Sequence, residues 1–424
     1  MGTVEAKDRM ILTDMKYNLI FVNMIPRHIA PHILKYSKEY PILALVGPRQ
    51  SGKTTLAKAL FPSHKYISLE NLDFRQQAAE DPRGFLNDHG RYLILDEVQR
   101  VPELFSYLQE LVDVNQDPAQ YILTGSSQFL LIENITQSLA GRIVTFKLFP
   151  LTYTELCEYP ADRDFSSVFS TRHAHRNKID QNSLYQMIWQ GFYPRIHDKH
   201  IDSYKWYENY LLTYVERDVR NLLKVKNLRL FTNFLKMVAA QSGQLMNYAN
   251  IGNAIGVSVP TVKEWISILE TSGLIYILPP YFVNFSKRII KTPKIYFVDT
   301  GLLCHLLSIR NVEYLKTHPL LGSIFENFMI AECFKRFYNL GEIPPLYFWR
   351  DQSGNEVDLL IDHGTNSFPI EFKLSQSYHS DLKKGIERWL ALDKNPAKSG
   401  FLVYCGENTT QIHSPVPAVP WYLL

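Results

Sequence analysis

Short apolar runs alternate with helix-patterned stretches from position 41 onward. ILALVG (42–47) is continuously apolar and ends in glycine, the pattern of a parallel strand buried on both faces. YISLEN (66–71), RYLILDEVQ (91–99), QYILTGSS (120–127) and RIVTFKLFP (142–150) predict four further strands. Helical patterns fall between them, including TTLAKALF (54–61) and ELFSYLQELVD (103–113). Such alternation predicts a parallel α/β sheet over residues 24–150. Strand patterns then stop. Residues 151–240 read as a helical connector, with apolar and aromatic residues at three- and four-residue spacing through 203–223.

Residues 241–294 have the grammar of a winged helix-turn-helix. One helix ends near Ile255, Gly256 turns the chain, and Ser258 caps a second helix that carries Pro260 in its first turn. A strand (274–278) and a basic loop, SKRIIKTPK (286–294), follow. An α/β pattern returns over 295–424: a strand at 296–299, a helix near 320–339, a hairpin pair at 356–361 and 368–374, a helix near 379–392 and a strand at 400–405.

Composition narrows the class. The chain has 424 residues, 46% hydrophobic and 21% charged, an ordinary balance for a globular protein of several domains. A net charge of +3 is too small to announce a nucleic-acid partner. Cys157, Cys304, Cys333 and Cys405 form no paired motif, which points to a reducing cytoplasm and away from zinc. The histidines His173, His175, His197 and His200 offer no complete ligand set and read as surface residues. No apolar run approaches a membrane span, and the charged N-terminus has no secretory-signal pattern.

The chemistry is densest at GPRQSGKT (47–54), which matches G-x-x-x-x-G-K-[ST]. The loop Gly47-Pro48-Arg49-Gln50-Ser51-Gly52 would wrap phosphate oxygens in backbone N–H groups, with Thr55 next in the helix behind it. Lys53 would reach the β- and γ-phosphates of ATP, and the Thr54 hydroxyl would ligate Mg²⁺. YLILDE (92–97) supplies the second half of such a site, with Asp96 holding Mg²⁺ and Glu97 polarising the attacking water.

With these motifs, and with LTGSS, LAGR, VDTGL, EVD and IEFK elsewhere, the chain resembles the prokaryotic AAA-type ATPases that carry a C-terminal domain of unknown function. The resemblance implies a sensor-1 polar group at Ser126, with Ser127 the near alternative. It also implies an arginine finger at Arg142, for which a structural salt bridge is the competing reading. An arginine finger acting in trans would require a homo-oligomer.

Two further candidates remain. Across 230–295, Lys236, Lys263, Lys287, Arg288, Lys291 and Lys294 outnumber Glu264 and Glu270, which favours a DNA phosphate-facing surface. The second helix of the turn motif lacks Arg, Asn and Gln for base edges, so a structural or protein-contact role stands beside DNA binding. If 356–361 and 368–374 pair about the turn DHGTNS, Asp358 lies opposite Glu371 and Lys373 shares their face. Two acids and a lysine there could hold Mg²⁺ and activate water against a phosphodiester. This cluster resembles the PD-(D/E)XK nuclease core, in which Glu326 looks like the additional acid used by some members. An inactive, structural version of that core is the alternative. The expected fold class is therefore α/β: an AAA-type P-loop domain, a helical connector, a winged helix and a restriction-endonuclease-like domain.

Overall fold

The computed structural model describes residues 24–126, 138–161, 176–214, 228–281, 292–364, 366–392, 398–410 and 413–424. Ser127, His173, His175, Lys287, Arg288 and Lys291 lie outside the described residues. The chain divides into two compact units: Met1–Ala161 with His197–Lys199 and Tyr338–Gly341, and Asp162–Ile196 with His200–Phe337 and Glu342–Leu424.

In the first unit, β1 (Ile42–Val46), β2 (Lys65–Ser68), β3 (Leu93–Asp96), β4 (Tyr121–Gly125) and β5 (Ile143–Lys147) form a sheet in the order β2-β3-β4-β1-β5. Every pairing is parallel. Parallel neighbours need crossovers, here supplied by α2 (Lys53–Leu60), α3 (Leu72–Glu80), α4 (Pro82–His89) and α5 (Leu104–Val114), with α1 (Ala30–Tyr36) preceding the sheet. The continuous apolar run of β1 follows from its central place. Ile42, Ala44 and Val46 join one core, with Leu104, Leu108 and Val112 of α5; Leu43 and Leu45 join another, with Leu56 and Ala57 of α2. Both faces are thus covered, and the chain leaving β1 enters the crevice at the strands' carboxyl ends, where the strand order reverses. After β5, the short α6 (Tyr153–Leu156) is closed by a capping box between Thr152 and Glu155.

The second unit begins with helices, among them α7 (Gln181–Gln190), α8 (Ser203–Tyr214) and α9 (Leu228–Ala240). α10 (Tyr248–Ile255) ends at Gly256, whose φ of 76° is the left-handed C-cap that glycine tolerates. α11 (Val259–Thr271) starts from Ser258, whose side chain accepts from Thr261 N. β6 (Ile275–Leu278) then pairs antiparallel with β7 (Lys294–Phe297). This pairing spans the 294/295 boundary read from the sequence, so β7 belongs with the segment before it. After α12 (Thr300–Leu306), the long α13 (Leu321–Asn339) is buried along most of its length, its charged Glu332, Lys335 and Arg336 included. β8 (Leu346–Arg350), β9 (Glu356–Asp362), β10 (Ser367–Lys373), β11 (Phe401–Tyr404) and β12 (Ala418–Pro420) form a second sheet in sequential order. β8, β9 and β10 are antiparallel neighbours, while β10, β11 and β12 are parallel. α14 (Lys384–Leu390) lies in the crossover between β10 and β11.

Candidate functional site

Backbone geometry at the phosphate loop explains its glycines. Gly47 has φ +145°, and a Cβ there would sit 2.1 Å from the Leu148 carbonyl oxygen. Gly52 has φ 96° and leads directly into α2. Gln50 also takes a left-handed φ of 60°. Lys53 is buried, its ammonium donating to the carbonyls of Gly47 (2.9 Å) and Pro48 (2.8 Å). The Ser51 hydroxyl is buried and makes no hydrogen bond.

Across the loop, Asp96 ends β3. Its Oδ1 accepts from Thr54 Oγ1 at 3.0 Å and from Thr124, and its Oδ2 accepts from Tyr66 at 2.8 Å. Burial first, then the bond to Asp96, pushes the Tyr66 phenol up to about 12, so it remains a donor at neutral pH. Glu97 follows with φ 56° and ψ 42°, a left-handed conformation uncommon for a residue with a Cβ. Its Oε2 accepts from Ser126 Oγ at 2.9 Å and Gln99 Nε2 at 2.5 Å. β4 lies between β1 and β3, and its register sets Thr124 beside Asp96. Thr124 and Ser126 are two positions apart and meet the two successive carboxylates.

These residues fit a Mg²⁺–nucleotide. The loop cannot accommodate a Cβ at Gly47, the unsatisfied Ser51 hydroxyl lies within it, and the oxygen pair Thr54–Asp96 suits a hard divalent cation. When bound, Mg²⁺ would neutralise charge on the transferred phosphoryl group.

Comparisons with known proteins bear on the same region. Residues 39–157 match the AAA domain family. Residues 39–157 are an AAA domain with a parallel-sheet P-loop fold. Residues 181–313 and 321–424 match two domains of unknown function, DUF8612 and DUF4143. An uncharacterized protein of Mycobacterium tuberculosis is 29% identical over 397 residues, covering 93% of this chain and 83% of its own. One from Haemophilus influenzae is 23% identical, covering 70% of this chain and 76% of its own. Among solved structures, a Walker-type ATPase of Pyrococcus abyssi aligns with TM-score 0.41 and 15% identity, covering 66% of this chain and 94% of that one. The RuvB Holliday junction branch migration motor of Thermotoga maritima aligns with TM-score 0.31 and 18% identity, covering 61% and 93%.

Other candidates distribute unevenly around the ATPase domain. Arg142 makes a two-pronged ion pair with Asp113, Nε to Oδ1 at 2.5 Å and Nη2 to Oδ2 at 2.9 Å. It immediately precedes β5, and β5 runs level with β1 from Ile42↔Ile143 to Val46↔Lys147. Arg142 therefore stands at the amino edge of the sheet, about 13 Å along the strands from the edge that carries the phosphate loop. It cannot serve the loop of its own chain from there. Sequence reasoning missed Tyr66, Gln99 and Thr124. Thr124 was within reach, because alternation along LTGSS puts it on the Ser126 face. Gln99 and Tyr66 carried no motif signal.

In the second unit, the β9–β10 register runs from Ser367↔Asp362 to Ile370↔Leu359, which continues to Glu371 opposite Asp358. Lys373 Nζ lies 2.6 Å from Glu371 Oε1 and 3.7 Å from Asp358 Oδ2. Phe372 N donates to Asp358 Oδ2 at 2.9 Å. Glu326 reaches the cluster because neighbouring Asn327 docks α13 on β7, pairing with both the N–H (2.7 Å) and the carbonyl (2.8 Å) of Phe297. Tyr296 donates to Glu326 at 2.6 Å. Lys294, read from the sequence as part of a phosphate-facing surface, is instead buried; its ammonium lies 3.4 Å from Glu326 and is also paired with Glu356. Four carboxyls thus share two lysines, Lys294 buried and Lys373 half-buried. Burial and then the Asp358 charge push Glu371 up to about 8 and Glu326 up to about 7. Glu371 Oε2 is buried and makes no hydrogen bond. Among the described residues, no group of three or more His, Cys, Asp or Glu side chains is arranged to hold a metal ion, and no helix is long and apolar enough to cross a membrane.

Proposed function

We propose that this chain is a Mg²⁺-dependent ATPase that uses hydrolysis to switch the state of its second unit. The observation that carries this reading is the pairing of two differently held carboxylates at the end of β3. Asp96 is tied to Thr54, next to the lysine that meets the phosphates, and suits the metal. Glu97 is held through one oxygen by Ser126 and Gln99, which leaves its other oxygen to accept a proton from water. Lys53→Ala should weaken MgATP binding, while Glu97→Gln should bind ATP and stop turnover. Normal turnover in both variants would sink the assignment.

The partner that the second unit would bind is DNA, contacted mainly at its backbone. The support is the helix-turn-helix of α10 and α11 followed by the β6–β7 ribbon, the arrangement of a winged helix. The exposed face of α11 carries Lys263 but also Glu264 and Glu270, which argues against base reading in a major groove. A salt-dependent shift of duplex DNA that responds to ATP is the expected result; its absence at low salt would redirect the search to protein partners.

A second reading is metal-dependent phosphodiester cleavage at Asp358, Glu371 and Lys373. It draws support from the hairpin register and the buried, unpartnered Glu371 Oε2. Against it, Lys294 supplies the positive charge that a metal would otherwise bring. Cleavage with Mg²⁺ or Mn²⁺ that disappears in Glu371→Ala would favour this reading over the switch.

A further inference from the structure

Arg27 precedes both α1 and the region matching the AAA domain family, yet it is buried against the phosphate loop. Its three nitrogens reach three separate places. Nη1 donates to the Ser51 carbonyl at 2.7 Å, Nη2 to the Phe149 carbonyl at 2.7 Å, and Nε to Glu155 Oε1 at 3.1 Å. Ser51 is inside the phosphate loop; Phe149 and Glu155 lie on the segment leaving β5. Glu155 is itself fully buried and also accepts from the backbone N–H groups of His28 and Thr152, both at 2.8 Å. The His28 ring reaches the Tyr159 carbonyl at 2.9 Å.

We propose that Arg27 is a positioning residue for the phosphate loop and couples nucleotide binding to the segment 149–159. The proposal rests on the reading that the loop binds ATP. A peptide unit whose carbonyl is held on one side presents its neighbouring N–H groups to the other, and the loop binds phosphate through such N–H groups. By fixing the Ser51 carbonyl, Arg27 holds the loop in that arrangement. Only a guanidinium can do this while reaching Phe149 and Glu155, because its donors are splayed in a rigid planar fork. Glu155 keeps the fork oriented and compensates its charge. A phosphate that tightens the loop moves Ser51, and the shared guanidinium carries that movement to Phe149 and Glu155. Nucleotide affinity and the order of 149–159 are then reciprocal effects of one linkage.

The test compares wild type with Arg27→Lys, which keeps the charge but cannot span three acceptors. MgATP affinity, kcat and KM, and hydrogen exchange of peptides covering 149–159 are measured with and without nucleotide. In wild type, MgATP should protect 149–159. In Arg27→Lys, affinity should fall about tenfold or more, KM should rise by more than kcat falls, and the protection should vanish. Glu155→Gln should move the same readouts in the same direction, which keeps the proposal testable should one variant fail to fold. A folded Arg27→Lys that binds MgATP within twofold of wild type and protects 149–159 equally overturns the proposal. Wild type that binds no nucleotide overturns the ATP reading itself, and this proposal with it.

Discussion

Replacing Glu155 with glutamine removes one interior charge and preserves the side chain's shape. Burial alone would raise the pKa of this carboxyl. Arg27 and His28 beside it, with backbone N–H groups of Thr152 and His28, outweigh burial and bring it to about 2. Its ordinary value is 4.5, so ionisation in the folded state is favoured by about 2.5 pH units. At about 1.4 kcal/mol per unit, the linkage contributes about 3 kcal/mol. The folded pKa lies below the unfolded one. The contribution is therefore complete above about pH 4.5 and disappears as pH falls through about 2. Glutamine cannot titrate, and it leaves Arg27 buried without its counter-ion. Glu155→Gln should cost at least about 3 kcal/mol of ATPase-domain stability at pH 7, with the difference from wild type shrinking as pH falls below about 4.5. All six tryptophans (Trp189, Trp206, Trp265, Trp349, Trp389 and Trp421) lie outside the ATPase domain, so their fluorescence does not report on it. Hydrogen exchange of 24–161 peptides across denaturant, at a series of pH values, is the suitable assay. A gap of the same size at pH 7 and pH 3 would refute the linkage.

Three other perturbations follow from the geometry. Gly47→Ala should reduce ATP affinity by about 100-fold or more, because its φ is +145° and the new methyl meets a backbone carbonyl that cannot rotate away; titration with a fluorescent ATP analogue checks this. Gln99→Ala should lower kcat by about tenfold with little change in KM, since Gln99 touches Glu97 alone among the motif carboxylates; a steady-state ATPase assay showing raised KM instead would place it in binding. Glu371 and Glu326 have pKa values raised to about 8 and about 7, so stability falls as pH rises from about 4.5 toward 8; Glu371→Gln should flatten that decline by up to about 1.4 kcal/mol per pH unit in tryptophan-monitored unfolding.

Legibility in the sequence followed how local the determining physics was. The central strands β1 and β4 read clearly because strands buried on both faces are continuous apolar runs. The turn between α10 and α11 was legible from Gly256 and Ser258, whose backbone roles are set by one or two residues. The register of Asp358 against Glu371 followed from the centre of a tight turn. Long-range contacts were not legible. Lys294 reads as one of a run of surface basic residues, and only the docking of α13 on β7 turns it inward. Arg27 carries no motif signal, and its role depends on partners more than 20 and 120 positions away. β12 was invisible because three residues, one of them proline, carry almost no periodic signal.

The place of Lys294 has a consequence for inheritance. The lysine lies in the stretch matching one domain of unknown function, while the carboxyls it serves lie in the stretch matching the other. Recombination that carried 321–424 into a new gene alone would bring Glu326, Glu356, Asp358 and Glu371 without their buried lysine, and would strip α13 of the strand that Asn327 recognises. The two stretches are separate as sequence families but one electrostatic body. Selection should therefore move them between genomes as a pair, or require any orphaned copy of the second to find a new cation.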